Sequence, residues 1–584
     1  MDETRTRFSR LLLVAMLVAF ACLKAFYNPY PVSEFGPDAG YYYQMARHVM
    51  QGDGLLTSVS RAHQGINQLP FPTSEYPLWP LVLGGAGKLI GLERAAVWLP
   101  ESLFLVSLFL LYYLANAIVC RLGNPSLLSA GGESLVDVGH VSVLIFGINA
   151  VYFKYTSLPF TEGLAFCLLF CALLALRRVA GPRPLLWSGV AGGLAALGYL
   201  TRYQFLGLVL AMPATLALAG IKEAKYRRAA IIAAVCAVGP VVLWVIHVAT
   251  TYGQFTPMML LDGTVLRQTP ELEPSGFIIK TGSIGEFVSD RLWGTVYVAF
   301  NNSSSYSYVK SFRYVVYLAP AALLYLVLRP RMLVRAVKSS VRPDFIIVVW
   351  TVAAGLLLIA PAHAMHAYRF GGWFFQFRQG LPYILLLVVG LCFFLTRRPL
   401  LVRLATLGLI ALSLWKSVTT FEAEFRKGRN YPAPVAARQE FGRWIDSQPV
   451  EPVFATTRAQ VLGGQTEGLF HNVSCNESGV QMAAYFKHVG VTHLVTLAKE
   501  KECGFFSSIR DDLDLTATFG DSDALMQVWS PRQGLSGAIP PARETSARRP
   551  GVWTSISSLP PVWTSRASPL RIPTASAPSR TTWR

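Results

Sequence analysis

Charge is the scarcest property of this chain. Only 15% of its 584 residues are Asp, Glu, Lys or Arg, against about 25% in soluble domains. With 53% hydrophobic residues, the composition excludes a disordered protein and argues against a conventional cytosolic enzyme. Cysteine chemistry is missing too. There are 8 cysteines but no CxxC pair and no Cys/His zinc spacing, so neither a dithiol site nor a zinc module is encoded. The two halves share no internal repeat. Acidic residues are few, 33 against 52 basic. Such a surplus can mark a nucleic-acid binder, but here the positions of the charges say otherwise.

What the chain has is apolar runs, and a hydrocarbon core about 30 Å thick needs roughly 20 such residues in helix. The runs predict membrane spans at Leu11–Tyr27, Ser102–Cys120, Val138–Phe153, Leu158–Leu176, Pro184–Thr201, Tyr203–Ile221, Ala229–Tyr252, Tyr314–Leu328, Phe345–Ala362, Gln379–Thr396 and Leu404–Trp415. The reading is therefore an α-helical polytopic membrane protein of about eleven spans. Leu11–Leu23 follows three arginines, as a signal peptide's core would. No small-residue cleavage signature precedes Tyr27, so a retained helix is expected.

Placing Arg5, Arg7 and Arg10 in the cytoplasm puts nineteen Lys and Arg residues in inner loops. The short outer loops hold four, Lys154, Arg202, Arg369 and Arg378. That asymmetry is the positive-inside pattern, so the basicity reports topology and implies no nucleic-acid partner. Residues 1–420 then form the membrane domain, with large outer loops at 28–101 and 253–313. Residues 421–531 read as a small extracytoplasmic α/β domain, with strands at Pro452–Thr457, Thr492–Thr496 and Leu525–Trp529 and helices at Ala436–Gln448 and Gln481–His488. Cys475 and Cys503 share this outer domain, where an oxidising compartment would permit a disulfide. Residues 532–584 are rich in Ser, Pro and Arg and are expected to be disordered.

The first outer loop carries its own pattern. DAGYYYQMARHVMQ (Asp38–Gln51) reads as an amphipathic helix capped by Asp38 and ended by Gly52 and Gly54. Tyr76–Leu92 is apolar but rich in Pro and Gly, and reads as an interfacial or re-entrant helix.

Polar residues gather at the outer ends of the spans. They are Asp38, Tyr42, Glu75, Glu162, Arg202, His363, His366, Arg369 and Arg378. Ionisable groups near membrane depth are costly and often functional. The carboxylates could activate a nucleophile or, with His366, hold a divalent cation such as Mg or Mn, and the arginines could clamp a phosphate. Plainer readings stand beside these. Asp38 would serve as a helix cap, Glu162 as a first-turn acid favoured by the helix dipole, Arg378 as a headgroup anchor, and the tyrosines as an interface belt.

The order of five segments resembles the GT-C glycosyltransferases, in the bacterial branch related to the protein mannosyltransferases and the lipid A aminoarabinose transferase. The segments are GPDAGYYYQMARHVMQGDGL (Gly36–Leu55), SEYPLWPLVLGGAGKLIG (Ser74–Gly91), PFTEGLAF (Pro159–Phe166), LTRYQ (Leu200–Gln204) and FRQGLPYILLL (Phe377–Leu387). The resemblance implies a polyprenyl-phosphate sugar donor and an extracytoplasmic acceptor, whether glycan, lipid or protein. It implies Asp38 as the general base, Glu162 as a second acidic residue at metal or acceptor, and Arg378 at the lipid phosphate. Glu75, Tyr42, Arg202 and Arg369 fall among the expected substrate contacts. Two other classes fit the composition: a transporter or lipid-linked-sugar flippase, and a membrane assembly or sensor protein that uses the outer domain.

Overall fold

The computed structural model describes residues 3–27, 37–60, 69–252 and 432–532, with short gaps, and scattered residues between 253 and 431. The middle outer loop, the late spans, His363, His366, Arg369, Arg378, Cys475, Cys503 and nearly all of the 532–584 tail lie outside the described residues.

Helix α1 (Glu3–Tyr27) contains the first apolar run. Helix α2 (Pro37–Gln51) follows in the outer loop. Pro37, with its fixed φ and no N–H to satisfy, takes the first helical position. Asp38 therefore lies inside the first turn instead of capping it, near the positive end of the helix dipole. Gly52, with φ of 95°, ends the helix in a backbone conformation that side chains resist. Strands β1 (Leu56–Thr57), β2 (Val59–Ser60) and β3 (Phe71–Pro72) lead to helix α3 (Leu78–Ile90). Gly91 breaks the chain there, with φ of 85°, and helix α4 (Leu92–Leu122) turns away. At 31 residues, α4 runs about 46 Å. It starts ten residues before the expected span, whereas α3, with 13 residues, is too short to cross.

The expected span at Val138–Phe153 is two helices, α5 (Val138–Gly147) and α6 (Ala150–Tyr155). The 158–176 run begins as helix only at Glu162, in α7 (Glu162–Arg178). Helices α8 (Pro184–Tyr199), α9 (Leu206–Ala219) and α10 (Ala224–Tyr252) complete this half. Among the described residues, three stretches are long and apolar enough to cross a membrane: Phe8–Phe26, Leu92–Ala117 and Ala224–Tyr252. By length and composition, these helices could take the chain across a bilayer more than once. The shorter helices stop early because residues 156–161 and 200–205 leave the helix.

The C-terminal α/β part, expected on the outer side and called the outer domain, begins with α11 (Pro432–Asp446). It continues through β4 (Val453–Thr456), α12 (Ala459–Gln465), β5 (Leu469–Asn472), β6 (His493–Leu497), α13 (Gly504–Ile509), β7 (Leu513–Phe519) and β8 (Met526–Pro531). Its sheet runs β2-β5-β4-β6-β8-β7. Strands β2, β5, β4 and β6 are parallel and the last two pairings are antiparallel. The first strand of this sheet comes from the first outer loop. Val59 pairs with Phe470 and Ser60 with His471, more than 400 residues apart in sequence.

One apolar core accordingly crosses the boundary drawn near residue 420. It joins Ala39, Tyr41, Trp79 and Leu83 from the first loop with Phe441, Phe454, Phe470 and Val528 from the outer domain. Helix α2 lies against α3 so closely that a methyl on Gly84 would sit 2.7 Å from the Ala46 carbonyl oxygen. A second core, around Phe104, Phe146, Tyr152, Phe166 and Phe170, packs the membrane helices.

His471 is buried in the central part of this sheet with its Nδ1 3.1 Å from Ser60 Oγ. Burial lowers its pKa to about 4. The unfolded chain would bind that proton near 6.5, so stability is full above about pH 6.5 and is lost as pH falls toward about 4. The loss from this one group is on the order of 3 kcal/mol. Acid titration of tryptophan fluorescence should show it, with a shallower pH dependence in His471→Asn.

Candidate active site at the outer turns

Three turns on the side expected to face outward, called the outer turns, meet where the short helices end. The turn before α3 docks on the turn after α8, where Leu78 N donates to Leu200 O at 3.0 Å. The Tyr76 ring also stands edge-on to Tyr199, with centroids 5.6 Å apart. The same segment reaches the turn before α7, where Trp79 Nε1 donates to Pro159 O at 2.7 Å. Trp79 is fully buried, so this bond satisfies an indole N–H that has no access to water.

At the junction, Arg202 Nη1 donates to Glu162 Oε1 at 2.6 Å and to Thr161 Oγ1 at 2.9 Å. Its Nε donates to Gln204 Oε1 at 2.8 Å. Glu162 is 1% exposed and the Arg202 side chain 14%. Extended backbone at Arg202 (φ −157°, ψ 136°) interrupts the helical path between α8 and the 3₁₀ turn Tyr203–Phe205, and lets the guanidinium turn back over α7. Glu162 stands in the first turn of α7, as the sequence pattern predicts.

Glu75 is also buried, at 3% exposure. Its backbone N donates to Thr73 Oγ1 at 3.0 Å. Thr73 Oγ1 lies 3.5 Å from the Tyr41 hydroxyl of α2. The Tyr252 hydroxyl at the outer end of α10 donates to Pro72 O at 2.8 Å. The strand β3 and the Glu75 turn are thus tied both to α2, which carries Asp38, and to α10. Asp38 is half-buried and lies one helical turn before Tyr41. Tyr42 is buried, its ring edge-on to Tyr41 with centroids 6.4 Å apart. Burial and the neighbouring Glu93 push the Tyr43 phenol up to about 12, against the lowering effect of Arg47.

The structure therefore brings together the segments bearing Asp38, Tyr42, Glu75, Glu162 and Arg202. Arg202 is committed to the Glu162 carboxylate, a role the sequence pattern did not anticipate. His366 lies outside the described residues, so the expected metal set of Asp38, Glu162 and His366 cannot be assembled from them. Glu162 Oε1 carries the Arg202 guanidinium. No cluster of three His, Cys, Asp or Glu suited to a metal occurs among the described residues.

Lys24 went unnoticed within the first apolar run. It is 1% exposed. Its Nζ donates to Phe153 O at 2.7 Å, Thr156 Oγ1 at 2.9 Å and Ser157 Oγ at 2.7 Å, and it stands 4.3 Å from the Phe153 ring centroid. All three donors find acceptors, so Lys24 fastens α1 to the turn that leads into Glu162. The signal was available: a lone lysine near the outer end of an apolar span needs local partners.

No protein-family model matches the chain, and no curated protein matches it. Among solved structures, it is similar to the Archaeoglobus fulgidus oligosaccharyltransferase in the apo form, with TM-score 0.48 and 13% identity over 83% of this chain and 70% of that one. It is similar to ArnT from Cupriavidus metallidurans bound to undecaprenyl phosphate, with TM-score 0.45 and 13% identity over 90% and 99%. It is also similar to a mycobacterial arabinofuranosyltransferase, AftD, with TM-score 0.42 and 12% identity over 89% of this chain and 41% of that one. The archaeal enzyme has also been solved in complex with zinc and sulfate. These neighbours are GT-C glycosyltransferases.

Removing one partner of the Arg202–Glu162 pair leaves a buried charge without compensation. Arg202→Met should cost about 3–5 kcal/mol, and adding Glu162→Gln should restore part of it. Thermal melting of the detergent-solubilised single and double variants checks this. Equal and additive losses would show that the pair is not coupled.

Proposed function

We propose that the protein is a membrane glycosyltransferase that moves a sugar from a polyprenyl-phosphate donor to an extracytoplasmic acceptor, with inversion at the anomeric carbon. The observation that carries this reading is the convergence of the outer turns. A half-buried carboxylate, Asp38, begins a helix whose next turn is bound through Thr73 to the Glu75 turn. That turn is docked on the segments carrying Glu162 and Arg202.

In this reading Asp38 takes the proton of the acceptor hydroxyl as its oxygen attacks the anomeric carbon. The bond from that carbon to the phosphate oxygen breaks, and the polyprenyl phosphate leaves with the electron pair. Such a base contributes about 10²–10⁴ in rate. The leaving group is already an anion, so it needs neutralising and not protonating. Arg378, expected from the resemblance, is assigned to the phosphate, and Arg369 supports it. The Glu162–Arg202 pair takes a different part: it fixes the geometry of the outer turns, because both charges are already satisfied by each other. Glu75 and Tyr42 shape the wall next to Asp38. The donor arrives through the bilayer, so lipids are partners in the site. The acceptor is an envelope polysaccharide, a lipid or a protein.

Asp38→Asn keeps the shape of the carboxylate and removes its basicity. Mass spectrometry of envelope glycans should then show loss of one sugar, by roughly 100-fold or more, with the variant at normal abundance in the membrane. An unchanged glycan profile would count against the enzyme and favour a flippase or a scaffold.

A further inference from the structure

Helix α2 is gripped on the side opposite α3 by the short helix α12 of the outer domain. The backbone of Gly464 packs directly on Gly40, and a Cβ on Gly464 would run into the Gly40 Cα and stand 2.9 Å from its carbonyl oxygen. Arg47, also on α2, reaches across the same seam. Its Nη1 donates to Thr466 O at 3.0 Å and its Nη2 to Gly464 O at 3.3 Å. Next to it Gly463 backs onto Val59, whose strand is part of the outer sheet. Thr466 is held in turn by its own hydroxyl donating to Leu462 O at 2.9 Å.

Asp38 is two residues from Gly40 on the same helix. Where backbone meets backbone, no side chain is available to change rotamer and absorb a displacement. A shift of α12 must therefore pass to α2 and to the carboxylate it carries. The guanidinium resists sliding along the seam, because its two bonds go to carbonyls two residues apart.

We propose that the Gly40–Gly464 contact and Arg47 position Asp38, so that the outer α/β domain sets where the base stands over the acceptor. The inference rests on the reading of Asp38 as that base. Arg47 acts through Asp38 and touches no substrate. A misplacement of about 1 Å at a reacting group costs on the order of 100-fold in rate, and a methyl forced into this seam would displace α2 on that scale.

Two measurements on the full-length chain test it. In the first, Asp38→Cys is purified in detergent micelles and reacted with N-ethylmaleimide, and the peptide carrying position 38 is followed by mass spectrometry. Adding Gly464→Ala, or separately Arg47→Gln, should change that labelling rate at least about threefold, as α2 shifts relative to its neighbours. Gly85→Ala, on the open side of α3 where nothing lies within 4 Å, should leave it unchanged. Equal labelling in all three backgrounds would overturn the proposal.

In the second, Asp38 is kept and the envelope sugar is measured in cells. Gly464→Ala should lower it about 100-fold at normal protein abundance. Arg47→Lys, a milder change that keeps the charge, should retain more sugar than Arg47→Gln. Wild-type sugar in both Gly464→Ala and Arg47→Gln would also overturn the proposal. If Asp38→Asn itself keeps the sugar, the assignment of the base fails, whereas the labelling rates still decide whether the seam sets position 38.

Discussion

A charge held at the margin of a bilayer cannot lean on water, so every such group must find its counter-charge and its hydrogen bonds inside the protein. The outer face is organised around that constraint. Arg202 answers Glu162 at 2.6 Å and spends its remaining reach on Thr161 and Gln204. Lys24 satisfies all three of its donors on the 153–157 turn. Arg202 stands in the turn at 200–205, and the acceptors of Lys24 lie where α6 ends. The unwound turns are then close enough to receive Trp79 and Leu78 from the first loop. Paired charges and backbone irregularity thus coincide at the junction.

The second organising element is the shared outer core. A helix as short as α2, with 15 residues, would be marginal alone. It is stable here because Tyr41, Ala39 and Met45 bury against α3, and its opposite side meets α12. Glycines at both faces bring the backbones together, which limits the helix more tightly than interdigitated side chains could. The two-residue strand β2 has too few bonds to persist by itself. As an edge addition to a six-stranded sheet it closes the loop between α2 and the outer domain.

Much of this was legible in the sequence, and the exceptions have physical reasons. The positions of α2, α8, α10, β4 and β6 followed from helical periodicity, apolar length and β-branched runs. So did the placement of Glu162 in a first turn. The break between α5 and α6 was not read, because the run Val138–Phe153, with only His140, Ser142 and Asn149 polar, passes by hydropathy as one span. Strand β2 was invisible for a different reason. Its partner, Phe470 and His471, is remote in the chain, and two residues carry no alternation to detect. The Arg202–Glu162 pair was missed as a pair, although both residues were singled out. Each was read for what it could offer a substrate, and only the turn geometry reveals that they are committed to each other. Arg47 likewise reads as the polar face of an amphipathic helix until the α12 carbonyls appear opposite it.

A division of labour follows from where the charges stand. Glu162 is 1% exposed and ion-paired to Arg202, which closes it off from solvent. Asp38 is half-buried in the first turn of α2, where solvent can still reach it. Of the two acids, Asp38 is the more accessible, and it is the one proposed as the base. In the proposed reading, the helical part contributes paired charges and α2 carries the reactive carboxylate. Such an arrangement would separate the requirement for stability, met by pairs that must not open, from that of the proposed chemistry, met by a group that changes its protonation in each cycle.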